Sequence, residues 1–121
     1  MLGNHLPENE KVNLKKVHDS CQANPATYVD EDILRKLNDN INHKQAGIHM
    51  LCMSVKAGLQ KANGDLDIGV IRSKIDTVLD DKSKVEGFVS KCAVKKESPQ
   101  KTAVLLWLCF VLNDIPYFHK L

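Results

Sequence analysis

The 121-residue chain has little of what builds β-sheets. Aromatic residues make up 5%, Thr27, Thr77 and Thr102 are its only threonines, and no stretch alternates apolar with polar residues between turn signals. Long apolar runs are missing too. The longest, Ala103 to Leu112, has 10 residues, about half of what a helix needs to cross a bilayer core, so stable membrane insertion is not expected. Charge of one sign is scarce: 17 Lys and Arg against 15 Asp and Glu leave a net +2. That is too little for affinity built on neutralising phosphates, so nucleic acid is not an expected partner. There is no G-x-S-x-G, no H-E-x-x-H and no phosphate-cradling glycine loop, and hence no enzyme or cofactor to expect. No C-x-x-C pair occurs, which removes local support for zinc ribbons and thioredoxin-type redox motifs. The histidines give no helical pair at metal-ligand spacing, since His43 and His49 are six apart and His5 and His119 lie near the ends of the chain.

What is present points to one globular domain, residues 1–121, with 43% hydrophobic and 26% charged residues. Cys21, Cys52, Cys92 and Cys109 are separated by 30, 39 and 16 residues. An even count in a short chain fits two disulfides and an oxidising compartment, with four free thiols in a cytosolic protein as the other reading; three pairings are open. The start, MLGNHLPENE, has none of the basic, apolar and small-residue regions of a secretory signal, so the chain is either cytosolic or a mature form.

Helical spacing runs through the whole chain. Leu14, Val17 and Cys21 mark a first helix between Pro7 and Asn24-Pro25, and Asp30 can cap a short second one carrying Leu34, Leu37 and Ile41. Ile48, Leu51, Cys52 and Val55 define a third, with Gly58 at its left-handed cap position. Ile68, Ile71, Ile75, Val78 and Leu79 follow the Asn63-Gly64-Asp65 turn, and Val85, Phe88, Val89 and Cys92 make a fifth stripe. Ser98-Pro99 reads as an N-cap with proline at the first helical position. The sixth helix is apolar all round from Ala103 to Leu112 and has to be enclosed. Pro116 stops it, and the apolar tail through Tyr117 and Phe118 is expected to dock back.

This pattern resembles the insect odorant-binding protein family, of the pheromone and general odorant-binding type: six-helix secreted carriers that usually have six cysteines. Placing Cys52 at the family's third cysteine and Cys109 at its sixth puts Ile48 at the second and Gln100 at the fifth, a pair that bond to each other in the family. The four-cysteine Minus-C subgroup lacks that bridge. Lys95-Lys96 and Ser98-Pro99, between Cys92 and the apolar last helix, are also similar to the Minus-C carriers.

The resemblance implies an all-α, compact six-helix domain with Cys21 bonded to Cys52, Cys92 to Cys109, and an internal apolar cavity. It implies an extracellular carrier, in sensillar lymph or haemolymph, for odorants, pheromones or fatty-acid derivatives. Delivery to an odorant receptor and a monomeric or weakly dimeric state also follow from it. Family positions translate to a lining of Ala103, Leu106 and Phe110 on the last helix, Met50 and Ser54 on the third and Val89 on the fifth. Val55, Ile71, Ile75 and Phe88 on the apolar stripes complete the candidate lining, with Tyr117 and Phe118 closing it from the tail and Ser54 and Tyr117 as polar contacts. Each of these residues also fits plain core packing. A helical protein-interaction module and a saposin-like lipid-surface protein are the competing functions.

Overall fold

The computed structural model describes residues 3–121. Its helices are α1 (Glu8–Ala23), α2 (Glu31–Arg35), α3 (Lys44–Lys56), α4 (Ile68–Val78), α5 (Val85–Cys92) and α6 (Pro99–Leu112). Single 3₁₀ turns at Leu37–Asp39 and Lys82–Lys84 follow α2 and lead into α5. Among the described residues the only β pairing is one isolated bridge, Gln60 with Leu66.

Short polar side chains start the helices by accepting bonds from backbone N–H groups that have no partner inside the first turn. Asp30 accepts from the Asp32 N–H at 2.8 Å, Asp67 from Val70 at 3.1 Å and Ser98 from Lys101 at 3.1 Å. His43 does the same for α3 through Nδ1, at 3.1 Å from the Ala46 nitrogen. Pro7 precedes α1 without a capping side chain.

α3 and α6 form the most extensive helix pair, with α4 and α5 packed together and α1 lying on α3. α6 is the centre: Ala103, Val104, Leu106, Trp107, Leu108 and Phe110 are all buried, as an all-apolar helix requires. Cys21–Cys52 ties α1 to α3, and Cys92–Cys109 ties α5 to α6. After α6 the chain folds back, and Ile115 and Tyr117 are completely enclosed. The N-terminal arm holds this return in place. Asn4 donates to the Asp114 carbonyl (3.1 Å) and accepts from the Asp80 N–H (3.0 Å), while the His5 N–H reaches the Val78 carbonyl (2.9 Å).

The turn between α3 and α4 meets the start of α6 at Gly64. Its φ is +94°, and a Cβ there would lie 2.5 Å from the Pro99 Cβ, part of a rigid ring at the first turn of α6. Gln60 Nε2 donates to both the Gly64 carbonyl (3.0 Å) and the Pro99 carbonyl (3.3 Å), fastening the same junction. Gly64→Ala is therefore expected to cost about 2 kcal/mol or more, because a strained backbone and an overlap with an inflexible neighbour add together. Urea denaturation checks this; a loss below about 0.5 kcal/mol, the usual range for a neutral surface change, would contradict it.

Candidate functional site

A half-open cleft of about 450 Å³ lies where α6 faces α2, α3 and the returning tail. Leu34 and Arg35 of α2, Leu37 and Asn38 of the following turn, Met50 and Met53 of α3, and Trp107, Leu108, Val111 and Leu112 of α6 line it. His18 of α1 and the tail residues Phe118, His119, Lys120 and Leu121 complete the wall. The interior is apolar; the polar groups are His18, Arg35, Asn38, His119 and Lys120.

Of the residues expected to line a cavity, this cleft brings together Met50 and Phe118. Ser54, Ile71, Ile75, Val89, Ala103, Leu106, Phe110 and Tyr117 are buried elsewhere in the core, and Val55 and Phe88 are half-buried, none of them on the cleft. The physical reason lies in the tail. Tyr117 returns against α6 and stacks on Trp107 (centroids 5.9 Å apart, planes 20° apart), while Phe110 meets both rings edge-on at 6.0 and 6.3 Å. These three buried rings pack against one another beside α6. The open space falls on the adjoining face of α6, where Trp107 and Val111, and Leu108 and Leu112, stand four apart. The hydroxyls of Ser54 and Tyr117 are buried with no protein partner. Burial raises the Tyr117 phenol well above its ordinary pKa, with the Glu10 charge adding to the rise.

Histidines from three elements meet beside the cleft, a proximity that spacing along the chain does not reveal. The His18 ring lies 5.4 Å from that of His49 and 4.6 Å from that of His119, and its Nε2 is 2.9 Å from Glu31 Oε1. His49 is fully enclosed and donates through Nδ1 to the Thr27 carbonyl (3.0 Å), leaving Nε2 with no protein partner. Burial pushes the His49 pKa down to about 4 against the opposing pull of the Thr27 bond, with the His18 charge lowering it further. Burial also lowers His119, helped by His18. Among the described residues no group of His, Cys, Asp and Glu is arranged to hold a metal ion.

His49 makes stability pH-dependent with a definite sign. Between its unfolded pKa of 6.5 and its folded value of about 4, the unfolded chain binds the proton more readily, so stability falls as pH drops through that window. The full contribution is on the order of 3 kcal/mol. His49→Gln keeps a donor for Thr27 and removes the titration, so the variant is expected to lose less stability than the wild type between pH 6.5 and 4. Parallel urea titrations at the two ends of the window measure this; equal losses would contradict it.

A second, more polar cleft of about 310 Å³ lies between the start of α3 and the start of α6. Ile48 and Gln100 both border it, on facing helices, where the sequence alignment places the missing third bridge. The neighbouring contact is tight: a Cβ on Gly47 would sit 3.0 Å from the Gln100 Cβ. Three lysines around the last loop are engaged at the surface, Lys91 with Asn113 (2.7 Å), Lys95 with Asp65 (3.2 Å) and Lys101 with Asn42.

Comparison with known proteins agrees with this architecture. The B1 protein of Tenebrio molitor is 25% identical over 101 residues, covering 82% of this chain and 77% of that protein. The solved structure of a fatty acid binding protein, OBP56a, from the oral disk of the blowfly Phormia regina superposes with a TM-score of 0.64 at 22% identity, over 91% of this chain and 96% of that one. That likeness is one of fold. Among the described residues no helix is long and apolar enough to cross a membrane. The four cysteines, joined in two bridges, are the number the Minus-C pattern requires. The model of the PBP/GOBP family matches residues 3–113, nearly the whole chain, and the protein belongs to that family of insect odorant-binding proteins.

Proposed function

We propose that this protein is a secreted carrier, working as a monomer or weak dimer, that holds a small hydrophobic molecule in the cleft beside Trp107 and makes or breaks no bond in it. The observation that carries the reading is the apolar interior formed by Met50, Met53, Trp107, Leu108 and Phe118 around about 450 Å³, within the range of about 300–1,000 Å³ typical of small-molecule pockets. Membership of the PBP/GOBP family supports it, and so do two bridges suited to an oxidising compartment. Odorants, pheromones and fatty-acid derivatives are the candidate ligands.

Burying about 300 Å² of ligand apolar surface gives about 7 kcal/mol before ordering is subtracted, which leads to micromolar affinity and tolerance of shape. Two methionines in the wall favour that tolerance, since their unbranched thioether chains re-pack around different outlines. In this reading Met50 and Phe118 touch the ligand, while Tyr117 and Phe110 support the Trp107 ring from behind.

Trp107 is the only tryptophan and stands on the cleft wall, which makes it a built-in reporter. A brominated alkyl ligand is expected to quench its fluorescence saturably while displacing N-phenylnaphthylamine. Folded protein that shows neither saturable quenching nor displacement would overturn the proposal.

A further inference from the structure

Between α5 and α6 runs a stretch, residues 93–98, that no helix takes up, and Val94, Lys95, Lys96 and Glu97 are all exposed in it. Its main-chain bonds sit at its start, where the Ala93 N–H donates to the Val89 carbonyl and the Val94 N–H to the Cys92 carbonyl, each at 2.9 Å. Beyond them the backbone is largely unpaired. Among the described residues the Lys95 N–H and the carbonyls of Val94, Lys95 and Lys96 have no hydrogen-bond partner, while the Lys96 N–H donates to Thr102 Oγ1 at 2.8 Å. Ser98, at the far end, is extended, with φ −143° and ψ 157°. An endopeptidase draws its substrate out as an extended strand and pairs with main-chain groups beside the bond it cuts, so exposed and unpaired groups are what it requires. A lysine before that bond suits enzymes with a carboxylate in the specificity pocket.

No other basic side chain combines these features. Most of the 17 Lys and Arg lie in α-helices, whose backbone groups bond to one another, and Lys82 and Lys84 lie in a 3₁₀ turn. Lys61 has both groups engaged, its N–H with the Asp65 carbonyl and its carbonyl with the Gly64 N–H, each at 2.8 Å. Lys36 is held in the same way by Ile33 (3.2 Å) and Asp39 (2.9 Å). Lys120 follows Tyr117, Phe118 and His119, which are packed into the fold and cannot be drawn out. The contact of Lys95 with Asp65 (3.2 Å) is an exposed ion pair, a weak hindrance to leaving the surface.

We propose that the Lys95–Lys96 peptide bond is a processing site for a trypsin-like endopeptidase, and that the product stays whole as two chains joined by the Cys92–Cys109 bridge. Hydrolysis adds one water: the C–N bond breaks, the hydroxyl goes to the Lys95 carbonyl carbon and the hydrogen to the Lys96 nitrogen. Lys95 is favoured over Lys96 as the residue before the cut because its own N–H is free, whereas that of Lys96 is bound to Thr102. Cys92 lies before the cut and Cys109 after it. Residues 96–121 carry α6 with its Ser98 cap and the buried ring of Tyr117, and none of residues 93–98 lines the cleft beside Trp107. The cut therefore leaves the centre of the fold packed and makes the bridge the one covalent link between α6 and α1 to α5. The inference does not depend on the carrier reading.

The test treats the full chain with a low ratio of trypsin under native conditions and maps the first cut by mass spectrometry. The expected product is heavier by one water, undivided in denaturant without reductant, and separates into residues 1–95 and 96–121 on reduction. Its Trp107 emission should match that of the uncut protein, since the indole stays buried. In the double variant Lys95→Gln/Lys96→Gln, built at two exposed positions, the first cut should be slower by about tenfold or more, because it then waits for rarer openings elsewhere. A first cut after Lys96 or at any other basic residue would overturn the assignment, and so would a double variant cut as fast as the wild type. A red shift of Trp107 emission on cutting would overturn the packed two-chain product.

Discussion

Tyr117→Ala is expected to destabilise the protein by about 3–5 kcal/mol, within the range for emptying a buried aromatic site. The ring is completely enclosed, stacks on Trp107, meets Phe110 edge-on and lies under the Lys74 ammonium, 5.6 Å from the ring centroid. Lys74 is itself held by Glu10 at 2.7 Å, so the tail residue connects α1, α4 and α6 through one side chain. Tyr117→Phe makes the opposite case. Its hydroxyl is buried with no protein partner, and removing it should leave stability within about 1 kcal/mol of the wild type or improve it. Denaturant melts of the two variants separate ring from hydroxyl. An Ala variant as stable as the wild type would show that the tail does not plug the core. A Phe variant losing several kcal/mol would show that the hydroxyl has a strong partner.

The second large effect concerns the bridges. Replacing Cys21 and Cys52 together by Ala should cost about 3–4 kcal/mol, since the bond spans 31 residues and removes that loop's freedom from the unfolded chain. Cys92 and Cys109 enclose a shorter loop of 17, and their removal should cost slightly less, about 3 kcal/mol. Losses of this size are a large share of the net stability of a small domain, about 5–15 kcal/mol. The first bridge has a further consequence. His18 and His49 each stand three residues, almost one turn, before its two cysteines, so the bond also fixes the histidine pair at the edge of the cleft. Its loss should therefore weaken binding of an apolar probe as well as folding. Chemical denaturation of the two double variants gives both numbers, and a loss below 1 kcal/mol for either would contradict the loop-closure account.

The sequence is most informative where local chemistry decides structure. Ser98-Pro99 starts α6 and Asp30 caps α2, each through its own hydroxyl or carboxylate, and Gly58 adopts a positive φ of +83° at the end of α3. The pairing of Cys21 with Cys52 and of Cys92 with Cys109 follows from the family resemblance rather than from spacing, and the structure has it. Less visible are caps whose partners depend on a turn, such as His43 on α3 and Asp67 on α4, and the 3₁₀ turn at Lys82–Lys84.

The position of the cleft is less legible in the sequence because it depends on contacts between residues far apart along the chain. Periodicity marks Ala103, Leu106 and Phe110 as one inward face, but it cannot tell that Tyr117 will return to pack against Phe110. Once that ring is in place, the remaining room lies on the face carrying Trp107 and Val111, opposite Leu34 and Leu37. The three-histidine cluster arises in the same way, from α1, α3 and the tail arriving at one point. Residue identity supplied the wall materials; tertiary packing decided which of them face open space.

The central claim is that the space beside Trp107 receives an apolar guest, and the methionines allow it to be tested atom by atom. Met50 and Met53 both line the cleft and belong to a set of only three methionines in the chain. With ¹³C-methyl methionine and tetradecanoate, the Met50 and Met53 methyl signals should shift saturably and show intermolecular NOEs to the alkyl chain. Saturable binding that leaves both signals unmoved, with NOEs to Ile48 or Val104 of the second cleft instead, would contradict the account.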